Sequence, residues 1–242
     1  MPLDLSEMMN EKRFHDIEEN VKRIFHNTGE AAVKSGRKPE DITVMAATKT
    51  VPAVLINHAI RCGITDIGEN RVQEFLQKND NLMPDVKKHM IGSLQTNKVR
   101  KIVGKVDLIQ SLNSVPLAKE IDIQSKKCGV ITKCLIEINI GSEYSKSGAE
   151  PDTLPAFLEE MSAFDNIRIS GLMAIPPFCE NPDQSRRYFA DIMKIFLDIA
   201  SKKYDNVSMD ILSMGMSSDY CEAVLEGATM IRPGSLVFGK RQ

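Results

Sequence analysis

The chain lacks any apolar run approaching the roughly 20 residues that would span a bilayer. Its first residues, Met-Pro-Leu-Asp-Leu-Ser-Glu, lack the basic-then-apolar order of a secretory signal. It has no C-x-x-C pair. Its five cysteines (Cys62, Cys128, Cys134, Cys179 and Cys221) are odd in number and widely spaced. That pattern argues for reduced thiols in a cytoplasmic setting, and against both a disulfide framework and a zinc site. The histidines His15, His26, His58 and His89 show no metal-ligand spacing and read as structural or exposed. A large charge of either sign is also missing. The formal net charge is −2, so nothing in the charge points to a general nucleic-acid or membrane-surface binder. Neither repeats, nor low-complexity tracts, nor a compositional linker divides the 242 residues.

What is present is alternation. A long helical pattern runs from about Ser6 to Ser35, with Phe14, Ile17, Val21, Ile24 and Phe25 at helical spacing. Gly36 and Pro39 end it. Short apolar runs then alternate with helical segments. Strands are expected at Ile42–Thr48, Ile64–Gly68, His89–Gly92, Leu108–Ser111, Lys133–Ile140, Ile167–Ile175, Met209–Met214 and Met230–Arg232. The fifth reads as the longest. Helices are expected at Pro52–Cys62, Val72–Lys78, Asn97–Val103, Val115–Lys127, Asp152–Ala163, Asp183–Lys203 and Asp219–Glu226. Such alternation implies parallel pairing through crossover helices. Eight units in about 200 residues imply a closed (β/α)8 TIM barrel of the α/β class. The eighth helix is expected to be missing or reduced to Lys240–Gln242, with the leading helix covering the gap. One domain results: residues 1–40 as an N-terminal helix packed on the barrel, and residues 41–242 as the barrel itself.

In such a barrel the chemistry sits at the carboxyl ends of the strands. The first strand ends in Lys49. A lysine at a buried strand end is costly unless it is paired or becomes a neutral amine, and a neutral amine can attack an aldehyde. The other reading is a surface lysine just past the strand. After the seventh strand come Ser217 and Ser218, and after the eighth Gly234 and Ser235. Small residues and hydroxyls there suit a phosphate, with unpaired backbone N–H groups and, at Gly234, close backbone approach. Taken singly, each segment is equally an N-cap or a turn. Arg232 precedes the second of them. It is either a surface ion-pairing residue or a fixed cation aimed at a ligand.

The stretches AATKT, GENRVQE, HMIGSLQTNKVR, SKSG, GLMAI, SMGMSSDY and IRPGSLVFG, from Ala46 to Gly239, closely resemble the pyridoxal phosphate homeostasis proteins (the YggS/PROSC type). These are related to the N-terminal barrel of alanine racemase, a fold type III scaffold for pyridoxal 5′-phosphate (PLP). The resemblance implies PLP held as a Schiff base, a covalent aldimine, on Lys49. It implies phosphate ligands at Ser217, Ser218, Gly234 and Ser235. Arg232 would face the pyridine nitrogen and keep it unprotonated. Asn70 and Met173 fall in motifs that line the cofactor pocket. Lys146 is a secondary candidate contact, or a solvated loop lysine.

The departures carry weight as well. Alanine racemase draws a second base, a tyrosine, from a C-terminal β-domain of a partner subunit. This sequence stops at Gln242, and Tyr144, Tyr188, Tyr204 and Tyr220 occupy no obvious replacement position. Racemisation needs proton removal on one face and return on the other. The expected function is therefore PLP homeostasis: binding, buffering or delivery of PLP without dedicated turnover. The expected protein is a monomer in transient contact with PLP-requiring apo-enzymes, with no catalytic residue and no metal. The alternatives are a PLP-dependent amino-acid racemase or related enzyme, and a barrel for some other phosphorylated metabolite with Lys49 simply exposed.

Overall fold

The computed structural model describes residues 5–140, 148–177 and 179–239. Eight parallel strands close into one barrel in sequential order, β1 pairing with β8. They are β1 Thr43–Ala47, β2 Asp66–Glu69, β3 Lys87–Met90, β4 Leu108–Leu112, β5 Thr132–Ile138, β6 Ile167–Ala174, β7 Val207–Ser213 and β8 Met230–Ile231. The helices are α1 Leu5–Lys34, α2 Ala53–Arg61, α3 Val72–Lys78, α4 Thr96–Val99, α5 Val115–Cys128, α6 Leu154–Met161, α7 Pro182–Ala200, α8 Tyr220–Leu225 and α9 Ser235–Phe238. The longest strand is β6 rather than the expected fifth.

Local chemistry explains the helices. In α7 the Asn181 side chain accepts from the Asp183 N–H, and Pro182 stands where no N–H is needed. Its buried residues Ser185, Phe189, Ile192, Phe196 and Ile199 form one stripe at helical spacing. In α1 the stripe is Ile17, Val21, Ile24, Thr28 and Ala31. α1 packs on α2, α8 and α9. The short α9 follows β8 and packs against α1, while Lys240–Gln242, where the eighth helix was expected, lie outside the described residues.

Burial divides into two zones. Most apolar side chains lie between the strands and the outer helices. A separate cluster of Leu108, Leu135 and Met173, with Ile211 against it, takes up part of the barrel interior. At Gly171, with φ +144°, an added Cβ would stand 1.8 Å from the Ile211 carbonyl oxygen. Only glycine lets β6 approach β7 so closely where the register shifts.

Candidate functional site

β1 ends at Ala47, two residues earlier than the lysine, so Lys49 sits in a turn beyond the strand and is half-buried. This turn is held on both sides. The Thr48 N–H donates to the Gly68 carbonyl at 2.9 Å. The Thr48 hydroxyl lies 3.1 Å from Glu69 Oε2. Lys78 Nζ, from α3, donates to the Thr48 carbonyl and to Glu69 Oε2, both at 2.9 Å, and also reaches Glu74. Glu74 in turn accepts from the Thr50 N–H. Thr50 has φ +64°, a left-handed conformation that a β-branched residue adopts only when its surroundings hold it there. The Lys49 turn is therefore strained and clamped.

Burial raises the Glu69 carboxyl above its ordinary range, with Lys78 opposing the shift. Burial also pushes Glu74 up, but Lys78 and the Thr50 N–H prevail and hold it low. Neither carboxylate nor Lys78 was singled out in the sequence. Glu69 and Glu74 do fall within the GENRVQE motif, which was the available signal.

The turn sits against the loops after β7 and β8. The Ala47 N–H donates to the Pro233 carbonyl at 2.9 Å. Gly234 comes so close that an added Cβ would be 3.3 Å from Ala47 Cβ. The Ser217 hydroxyl accepts from the N–H groups of Gly234 (3.1 Å) and Leu236 (3.3 Å), tying the two loops together. Ser217 is half-buried, while Ser218 and Ser235 are exposed. These serines precede or open short helical turns, since α8 begins only at Tyr220.

Arg232 directly follows β8 and is 4% exposed. Its Nη1 donates to Ser213 Oγ at 2.7 Å and its Nη2 to the Ala174 carbonyl at 2.9 Å. Burial pushes its pKa down to about 10, with Asp219 and Glu137 opposing, so it remains a cation at neutral pH. Burial raises Asp219, against the Met216 N–H that it accepts at 2.7 Å and the nearby Arg232. Arg232 is thus a buried cation with two committed hydrogen bonds rather than a surface ion-pairing residue.

Asn70 follows β2 and is half-buried. Its carbonyl oxygen would be 2.2 Å from a Cβ at Gly92, so Gly92 makes room for it. Met173 lies inside the barrel with Leu108 and Leu135. Lys146 and Tyr144 lie outside the described residues. The structure therefore gathers Lys49, Ser217, Gly234, Ser235 and Arg232 at one end of neighbouring strands. The donor set fits PLP: a half-buried amine for an aldehyde, hydroxyls and a glycine cradle for a phosphate, and a buried cation for a ring nitrogen that stays unprotonated.

A grouping the sequence reading passed over lies on the outer layer. Glu18, His58 and Cys62 bring a carboxylate, an imidazole and a thiol within 4.8 Å of one another. They come from α1 and the end of α2, so no linear spacing reveals them. Among the described residues no helix is long and apolar enough to cross a membrane.

The model of the alanine racemase N-terminal domain matches residues 20–242. A pyridoxal phosphate homeostasis protein of Aquifex aeolicus is 41% identical over 93% of this chain and 98% of its own length. One from Pseudomonas aeruginosa is 37% identical over 93% and 96%. The structure of PipY from Synechococcus elongatus with PLP bound superposes with a TM-score of 0.80 at 32% identity, covering 92% of this chain and 100% of that one. With the closed barrel and its clustered lysine, serines and arginine, these likenesses establish that the chain belongs to the pyridoxal phosphate homeostasis protein family, built on the barrel of the alanine racemase N-terminal domain.

Proposed function

We propose that this chain binds PLP covalently through Lys49 and serves PLP homeostasis, holding and releasing the cofactor without turning over a dedicated substrate. The observation that carries the reading is the convergence of the clamped Lys49 turn on the Ser217-linked loops after β7 and β8. When bound, PLP supplies an aldehyde for a lysine amine and a ring that withdraws electrons. Lys49 Nζ provides the amine. Ser217, Ser218, Gly234 and Ser235 hold the phosphate, and Asn70 and Met173 bound the pocket. Arg232 would be the partner of the pyridine nitrogen, where its positive charge would disfavour protonation.

The chemistry of the described tyrosines supports a holding role over racemisation. The Tyr220 hydroxyl accepts from Asn27 at 3.1 Å, in the packing of α8 on α1. Tyr204 precedes β7, at the opposite end of the barrel from Lys49, and Tyr188 lies on α7. An arginine at the ring nitrogen also weakens the electron sink on which many PLP enzymes rely. The five unbridged thiols support a reducing, cytoplasmic setting. We take the leading helix and barrel as one domain acting as a monomer that meets apo-enzymes transiently.

The test is borohydride reduction of the PLP-loaded protein followed by peptide mapping. The pyridoxyl group is expected on Lys49. Label elsewhere, or none, refutes the site. Release of an α-deuteron from labelled amino acids at enzyme-like rates refutes the non-catalytic role.

A further inference from the structure

Five polar side chains, all buried, form an unbroken line inside the barrel. Asp66 opens β2, at the amino-terminal end. Arg232 follows β8, at the carboxyl-terminal end. Between them stand His89 of β3, Gln110 of β4 and Ser213 at the end of β7. His89 Nε2 is 3.0 Å from Asp66 Oδ1, and His89 Nδ1 is 2.9 Å from Gln110 Nε2. Gln110 Oε1 accepts from Ser213 Oγ at 2.7 Å, and Ser213 Oγ accepts from Arg232 Nη1 at 2.7 Å. Gln110 also reaches Met230 of β8 and Met45 of β1. Strand β4 lies across a closed eight-stranded barrel from β8, so the Gln110 amide stands at its centre.

The direction of every bond follows from donor and acceptor chemistry. A guanidinium only donates and a carboxylate only accepts. Arg232 therefore donates to Ser213, whose hydroxyl hydrogen turns to Gln110 Oε1. The Gln110 amide nitrogen faces two sulfurs, Met230 Sδ at 3.2 Å and Met45 Sδ at 3.6 Å. Sulfur is a weak acceptor, so this side of the amide is the NH2. Gln110 then donates to His89 Nδ1, and His89 Nε2–H donates to Asp66. Thr65 Oγ1 donates to the other carboxylate oxygen at 2.7 Å. All four links of the line run from the cation to the anion, and each polarises the next.

We propose that Asp66, His89, Gln110 and Ser213 are positioning residues for Arg232, a one-way hydrogen-bond line that fixes the guanidinium so that it faces the pyridine nitrogen of PLP. The proposal rests on the functional reading above and extends it to four residues behind Arg232. The line crosses from the amino-terminal end of the barrel, where Asp66 and His89 border a cavity of about 550 Å³, to the cofactor end. Without it, Arg232 keeps the Nη2 bond to the Ala174 carbonyl and the charges of Asp219 and Glu137, while Nη1 loses its Ser213 acceptor.

Two measurements test it. The first is 15N NMR of histidine-labelled, ligand-free protein. The expected result is a neutral His89 with hydrogen on Nε2 and a lone pair on Nδ1. Hydrogen on Nδ1 overturns the line. The second uses 15N-labelled PLP on Ser213→Ala and Gln110→Leu, both small changes in volume. Both variants are expected to retain label on Lys49 after borohydride treatment. Their pyridine 15N resonance is expected to move toward the protonated form. PLP affinity is expected to fall about tenfold in Ser213→Ala, where a charge-assisted bond is lost, and less in Gln110→Leu. Loss of thermal stability with the 15N resonance and affinity unmoved assigns the line to packing alone and overturns the proposal. Wild-type protein that takes up no PLP on Lys49 overturns the functional reading, and the role of the line toward PLP with it.

Discussion

Replacing Lys78 by methionine isolates the clamp on the Lys49 turn. Methionine keeps an unbranched apolar stem but removes an ammonium that contacts the Thr48 carbonyl, Glu69 and Glu74. The side chains of Glu69, Lys78 and Glu74 are only 4%, 14% and 18% exposed. Removing one partner of a buried ion pair costs about 3–5 kcal/mol, because the other charge is left uncompensated. Glu74 and Lys78 retain some water, so about 3 kcal/mol at pH 7 is expected. For a chain of this size that corresponds to a fall in Tm of roughly 6–12 °C.

The pH dependence has a definite sign. Burial already raises Glu69, and without Lys78 it rises further. A carboxyl raised in the folded state binds protons more tightly there than when unfolded, so the variant gains stability as pH falls. Glu74 is held low in the wild type, so its contribution is present at neutral pH and is lost as pH falls. Both effects narrow the gap between wild type and variant on acidification. Urea unfolding at pH 7 and near pH 5 measures it. A gap below about 1 kcal/mol at pH 7, the range of an exposed pair, or one that does not narrow on acidification, refutes the clamp.

Other outcomes follow from the same geometry. Lys49→Ala is expected to abolish borohydride-trapped pyridoxyl label while the barrel stays folded by circular dichroism; label retained on another lysine, Lys146 first, counts against the site. Ser217→Ala leaves the Gly234 and Leu236 N–H groups without their shared acceptor. It is expected to lower stability by about 1–2 kcal/mol and to weaken PLP binding, read by absorbance titration. Gly171→Ala places a methyl 1.8 Å from the Ile211 carbonyl oxygen at φ +144°. It is expected to destabilise by roughly 3 kcal/mol or more, with soluble yield and Tm as the readout.

Much of the site was legible in the chain because strand-end residues keep their place once the barrel is closed. Lys49, Arg232 and the two serine-bearing loops fall after strands that the alternation already marks. The neighbourhood of β1 and β8 then follows from closure alone. Helix boundaries were legible where caps act locally, as at Asn181 and Pro182 before α7. The turn at Lys49 was less so. Thr50 adopts a left-handed conformation against its own preference, and the groups that hold it there come from α3, about 25 residues away.

The sequence by itself determined the class of fold, the order of its units and the family, and it marked Lys49, Arg232 and the serine-bearing loops as residues that follow strand ends. Periodicity and motif order are properties of a line, and a line carries them in full. Tertiary structure alone decided which of the remaining polar residues matter. His89 and Gln110 look like an ordinary histidine and glutamine in sequence. Closing the barrel buries them inside it, where their polar atoms are satisfied by partners on other strands: Asp66 and Gln110 for His89, and Ser213 for Gln110. The same closure turned Arg232 inward and stacked Glu69, Lys78 and Glu74 behind the lysine turn. Burial then made every one of those partners consequential.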